Sequence, residues 1–158
     1  MLLFAGPLAG RIGARIGYKW PLAIGLVLVA AAAGALVGFH TQSWHVWAGQ
    51  AVLGIGVGFA FASMSTLIAE NVRPEETGVA TGMNTVMRSI GGVIGAQVGA
   101  ALLTTFTIAG TDHIPSVRGF EISFGVAALA ALVGAGLACL VPEPPRAERD
   151  RLLAGLPD

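Results

Sequence analysis

Long apolar blocks separated by short polar links run through this chain. "PLAIGLVLVAAAAGALVGF", about Pro21 to Phe39, and "VWAGQAVLGIGVGFAFASMSTLIA", about Val46 to Ala69, contain no charge at all. A third block runs from near Thr77 to about Ile108, and a fourth covers about Phe120 to Val141. The links "HTQSWH", "ENVRPEE" and "AGTDHIPSVRG" are rich in turn formers and polar groups. A helix needs roughly 20 mainly apolar residues to cross a hydrocarbon core about 30 Å thick, because each residue rises about 1.5 Å. The pattern therefore predicts an all-α membrane protein with four transmembrane helices, each antiparallel to its sequence neighbours because the links are short. The opening "MLLFAGPLA", residues 1–9, is apolar but too short to cross, and Pro7 and Gly10 end the run. No basic residue precedes it, so it fits a signal peptide poorly. It reads as the cytoplasmic end of a further span, and the chain as part of a longer protein.

Composition agrees: 54% of residues are hydrophobic and 11% charged, against about a quarter charged in an ordinary soluble domain, and mean hydropathy is +0.75. The formal net charge is zero, which leaves no basic tract for nucleic acid. Charge matters here by position. Counting links alternately, one side receives Arg11, Arg15, Lys19, Arg73, Arg146, Arg149 and Arg151, and the other only Arg118. Lys and Arg stay cytoplasmic during insertion, so the loops 10–20 and 70–76 and the tail 142–158 are expected inside, in a cell (inner) membrane. Trp20, Trp44 and Trp47 fall at proposed span ends, where indole rings favour the headgroup layer. Cys139 stands alone in an apolar block, which excludes an intrachain disulfide and predicts a buried small residue.

The remaining cation, Arg88, interrupts "GMNTVMRSIGGVIG" in the third helix. At about 100° per residue, Thr81, Asn84, Arg88, Gly91, Gly95 and Gly99 share an arc of roughly 80°. Glycines let another backbone approach closely, so Gly91, Gly95 and Gly99 are candidates for helix packing. Gly95→Leu is then expected to do more damage than Gly134→Leu. An arginine near mid-helix costs at least about 2.5 kcal/mol to expose to lipid, so this face should meet protein or a water-filled cavity. Eleven residues into the helix corresponds to about 16 Å, which predicts a position near the bilayer centre. Arg88 and Asn84 are candidates for a substrate pathway or for coupling; a structural tie between helices is the other reading of Arg88. In the second helix Gln50, Gly54, Gly58, Phe61 and Ser65 form a similar stripe. Gly54 and Gly58 there suit packing, and Gln50 suits either the pathway or an interhelical hydrogen bond. Met83, Met87, Phe59 and Phe61 offer an adaptable apolar surface.

The inventory of catalytic groups is thin. His40, His45 and His113 lie near outer span ends without a metal-ligand spacing, and no serine has a nearby base. No enzyme, metal or cofactor is expected.

The stretch "GRIGARIGYK", Gly10 to Lys19, resembles the signature loop of the major facilitator superfamily, with Gly10, Arg15, Gly17 and Lys19 matching. Ala14 stands where the family prefers aspartate and Tyr18 where it prefers arginine, a decay typical of the second copy of this loop. "GVATGMNTVMRSIGGVIGAQVGAALL" is similar to the penultimate helix of the drug:proton antiporter branch with fourteen spans. The resemblance implies the C-terminal part of a secondary transporter that exports drugs or small amphipathic molecules in exchange for protons. It implies the lipid bilayer, the upstream helices of the transporter and a small-molecule substrate as partners. The alternative is a small non-transporting membrane scaffold or partner subunit that packs through its glycine faces.

Overall fold

The computed structural model describes residues 10–13, 15, 17–38, 42–108 and 114–141. The partial span 1–9, the tail 142–158, His40 and His113 lie outside the described residues. Four helices follow one another: α1 Lys19–Gly38, α2 Ser43–Asn71, a single 3-10 turn Pro74–Glu76 leading into α3 Thr77–Thr105, and α4 Val117–Cys139. Each is long and apolar enough to cross a membrane. Among the described residues the only pairing of extended backbone is an isolated bridge between Thr107 and Pro115. The chain is thus an all-α membrane protein with four candidate spans among the described residues.

α1 is the centre of the bundle, packed along its length by α2 on one side and α4 on the other. Its buried positions are nearly all small: Pro21, Ala23, Gly25, Ala30, Ala32, Ala33 and Leu36. In lipid there is no hydrophobic drive to bring helices together, so close approach of small residues supplies the contact. The tightest point is the crossing of Gly25 and Gly56. A Cβ on Gly25 would lie 2.7 Å from the Gly56 carbonyl oxygen, and one on Gly56 would lie 2.7 Å from that of Gly25. Only glycine fits at either position. α4 supplies Ala131, Ala135 and Ala138 to the same core.

The links explain where the helices stop. Asn71 closes α2 by donating from Nδ2 to the Leu67 carbonyl at 2.8 Å, and Pro74 then forces Arg73 into an extended conformation. α3 ends at Thr105, three residues before the apolar block does. The chain turns there because Ile108 N–H bonds to the Ile114 carbonyl and Ser116 N–H to that of Phe106. The Ser116 hydroxyl donates to the Phe106 carbonyl at 2.8 Å and accepts from Gly119 N–H at 3.3 Å, capping α4 while tying it to the end of α3.

Two expectations are corrected here. Cys139 is exposed rather than buried, because it sits one residue past Ala138 and so turns about 100° off the buried stripe of α4. Gly134 carries the greater steric constraint within this chain, not Gly95. A Cβ on Gly134 would meet Leu26 at 3.5 Å, whereas one on Gly95 would meet nothing within 4 Å.

Candidate functional site

α3 stands apart from the other helices. It has no buried residue, and its half-buried positions are Thr77, Ala80 and Asn84 near one end and Gly99, Leu102 and Leu103 near the other. The first group lies toward α2 and the second toward α4. Both groups fall around the same side of the helix as Arg88, which is itself exposed. Between them the helix stands off. Gly91, Gly95 and Gly99 line an open groove of about 360 Å³ whose far wall is Ser123, Val126, Ala127 and Ala130 of α4. An added Cβ on any of those three glycines would touch nothing within 4 Å.

Arg88 spans the gap toward α2. Its guanidinium carbon lies 5.0 Å from the centre of the Phe61 ring, within the range of a cation–π contact. No described residue pairs with it as a carboxylate or takes one of its N–H donors. Asn84, one turn earlier on the same stripe, is half-buried and likewise has no hydrogen-bond partner among the described residues. The neighbouring hydroxyls are satisfied within their own helix: Thr85 bonds the Thr81 carbonyl at 3.0 Å and Ser89 that of Thr85 at 2.9 Å.

The register between α1 and α2 shows which part of α1 the Arg88–Phe61 contact stands level with. Gly25 opposes Gly56, so Phe61, five residues past Gly56, stands level with Trp20, five residues before Gly25. α2 therefore continues ten residues beyond the first turn of α1, or about 15 Å. α3 runs antiparallel beside that overhang, and its side chains tilt toward its own N-terminus. The Arg88–Phe61 contact therefore stands level with the start of α1. That end also carries Lys19, whose ammonium lies 5.9 Å from the Trp20 ring centre.

Between α2 and the first turns of α3 lies a cleft of about 520 Å³, which neither Arg88 nor Phe61 lines. Leu22, Met64, Leu67, Ile68 and Met83 make its wall, and Asn71 is the polar side chain on it. Met64 is one turn from Phe61, and Met83 adjoins Asn84. The third polar candidate, Gln50, is not brought to this place. It is exposed on α2, eleven residues from Phe61 and so about 16 Å along the helix. Of the second-helix glycines, Gly58 is buried and Gly54 half-buried.

In the loop, Gly10 is helical and half-buried, Arg15 is exposed and Gly17 is buried. Gly17 has φ 96° and its N–H reaches the Gly13 carbonyl at 2.8 Å. That backbone conformation strains any other residue. The Tyr18 ring packs against Gly13 so closely that a Cβ there would overlap it. Among the described residues no cluster of His, Cys, Asp and Glu suits a metal ion.

Phe61 is the site residue that reading the stripes one helix at a time misses. The signal for it is in the sequence: Phe61 and Arg88 stand almost equally far from the 72–76 link, as facing residues of a helical hairpin must.

The model of the Major Facilitator Superfamily matches residues 1–156. Over 101 residues the chain is 31% identical to "Multidrug resistance protein MdtH" of Salmonella paratyphi B, covering 64% of this chain and 24% of that protein. The proteins of the same name from Salmonella newport and Salmonella heidelberg match to the same extent. The chain thus spans about a quarter of the length of these curated relatives. No solved structure matches it.

Proposed function

The chain belongs to the Major Facilitator Superfamily, and from that membership we propose that it is the C-terminal part of a secondary active transporter exporting drugs or small amphipathic molecules in exchange for protons. It is read as a carrier and not as an enzyme. The observation that carries this is Arg88, set within an apolar span and packed on the Phe61 ring, one turn from the half-buried Asn84. An arginine kept inside a span without a carboxylate partner among the described residues suits a pathway or coupling role better than a lipid-facing one. The likeness to proteins named for multidrug resistance supports the substrate class, and the α3 sequence supports the branch with fourteen spans. Alternating access rocks two helical bundles around a shared site, and these four helices supply part of one. The C-terminus is assigned to the cytoplasm of a cell (inner) membrane by the basic residues of the loop 10–20, the loop 70–76 and the tail.

Two experiments test the reading. In a longer transporter ending in this sequence, Arg88→Ala should insert normally and lose gradient-driven export; full export would overturn the role given to Arg88. Arg88→Lys keeps a point charge but not the planar fork of donors. Retained export in that variant favours a cavity charge, and loss equal to that of alanine favours a tie between helices. Topology is checked with single cysteines in a Cys139→Ser background. Those at Ser43 and Ser116 should react with an impermeant thiol reagent in intact cells and one at Arg73 should not; the reverse pattern would invert the orientation.

A further inference from the structure

The cleft of about 520 Å³ at the end of the bundle has an occupant within reach in the same chain. We propose that the tail 142–158 docks onto it, setting Leu152, Leu153 and Leu156 between Met64, Leu67 and Met83. Such docking needs no transported substrate and does not rest on the transporter reading. The walls of the cleft are almost wholly apolar and come from the end of α2, the start of α1 and the first turns of α3. Met64 is 43% exposed and Met83 61%, so the cleft has apolar surface left to cover, and thioether side chains adapt to what covers them. Asn71 and Val72, at the link itself, also line it. The cleft therefore opens at the end of the bundle and not at mid-membrane, a level that suits an amphipathic segment better than a lipid chain.

The fourth helix delivers the tail to this place. Leu140 N–H bonds to the Leu137 carbonyl at 3.0 Å and Val141 N–H to that of Ala138 at 3.3 Å, three-residue bonds that tighten the end of α4. Leu140 is left 77% exposed, but Val141, the last described residue, is half-buried on the wall of the cleft. Pro142, Pro144 and Pro145 follow and cannot continue a helix, so α4 does not carry the tail past the cleft. Eleven residues lead from Val141 to Leu152, up to about 36 Å of extended chain, whereas the α2 wall from Met64 to Val72 is about 12 Å long. At about 100° per residue Arg149, Leu152, Leu153 and Leu156 share an arc of about 100° that leaves out Glu148 and Asp150. The tail thus offers three leucines and an arginine together. The link beside the cleft carries Glu70, Glu75 and Glu76 against a single Arg73, so an apolar wall next to an acidic segment matches that face in shape of hydropathy and in sign of charge.

The test uses the full chain in phosphatidylcholine nanodiscs, in a Cys139→Ser background, with spin labels on Arg73→Cys beside the cleft and on Ala154→Cys away from the leucine arc. The distance between the labels is measured by pulsed dipolar spectroscopy, with and without dilution by unlabelled chain, and should show one narrow component. Burial of a leucine is worth about tenfold or more in an equilibrium, so that component should hold about nine-tenths of the distribution, and Leu152→Ser with Leu156→Ser should cut the ratio of docked to free tail at least about tenfold. Both serines lie outside the spans and leave insertion intact. Met83→Trp, filling the cleft, should broaden the distribution from the other side of the contact, whereas Ala127→Trp, in the groove between α3 and α4, should leave it narrow. A broad distribution in the parent chain gives the cleft to lipid and overturns the proposal. A narrow one that survives the leucine or the Met83 changes overturns it too, as does equal broadening by Ala127→Trp. A narrow component that vanishes on dilution belongs to a second copy of the chain and overturns the assignment to its own tail.

Discussion

α1 and α3 are both apolar helices that contain glycine, yet they occupy opposite extremes of the bundle. α1 buries seven residues between two neighbours, and α3 buries none. The difference does not come from glycine content. α3 carries Gly91, Gly95 and Gly99 on one face, but they look across an open groove. Gly25 of α1 touches the backbone of α2 because Gly56 arrives opposite it. A small residue makes a close contact only when a second small residue stands in register with it. Without that partner it makes a gap, and in α3 the gap lies one turn from Arg88.

The sharpest way to break this contrast is Gly56→Leu. Its side chain would have to displace the backbone of α1, at a cost of about 3 kcal/mol or more, and folded protein should be lost in detergent. Tolerance of that change would mean the crossing of α1 and α2 is not where Gly25 and Gly56 put it. A smaller effect separates the two helices directly. Gly134→Leu presses on the flexible end of Leu26 and should cost about 1–2 kcal/mol, while Gly95→Leu in this chain should stay within about 0.5 kcal/mol of wild type. Thermal unfolding of both variants measures the order. If Gly95→Leu becomes the more damaging of the two within a longer transporter, the groove is filled there by another helix. The smallest effect is expected at Ser63, on the buried side of α2. The residue is 1% exposed and its hydroxyl has no hydrogen-bond partner among the described residues. Ser63→Ala should leave the melting temperature unchanged or raise it by the equivalent of about 1 kcal/mol; clear destabilisation would reveal a partner for that oxygen.

Much of the architecture is legible in the order of residues alone. The apolar blocks place four helices, because a span is defined by length and composition along one stretch of chain. The polar arc of α3 is legible too, since angular position on a helix follows from spacing alone. The exposure of Cys139 is not legible, because the apolar block around it shows that the helix is in the membrane, not which side faces a neighbour. The same gap hides the role of Gly25, because nothing along α1 itself shows that Gly56 stands opposite it.

What the sequence determined by itself was therefore local: which residues are helical, which share a face, and that Arg88 lies well inside a span. Register between helices was decided only in the folded bundle. Gly25 against Gly56 sets how far α2 overhangs α1, and the pairing of α2 with α3 brings Arg88 to Phe61. The physical reason is that helix geometry is fixed by backbone hydrogen bonds within one segment. The relative height of two helices is fixed by contacts between side chains far apart in the chain, and those exist only once the helices have met.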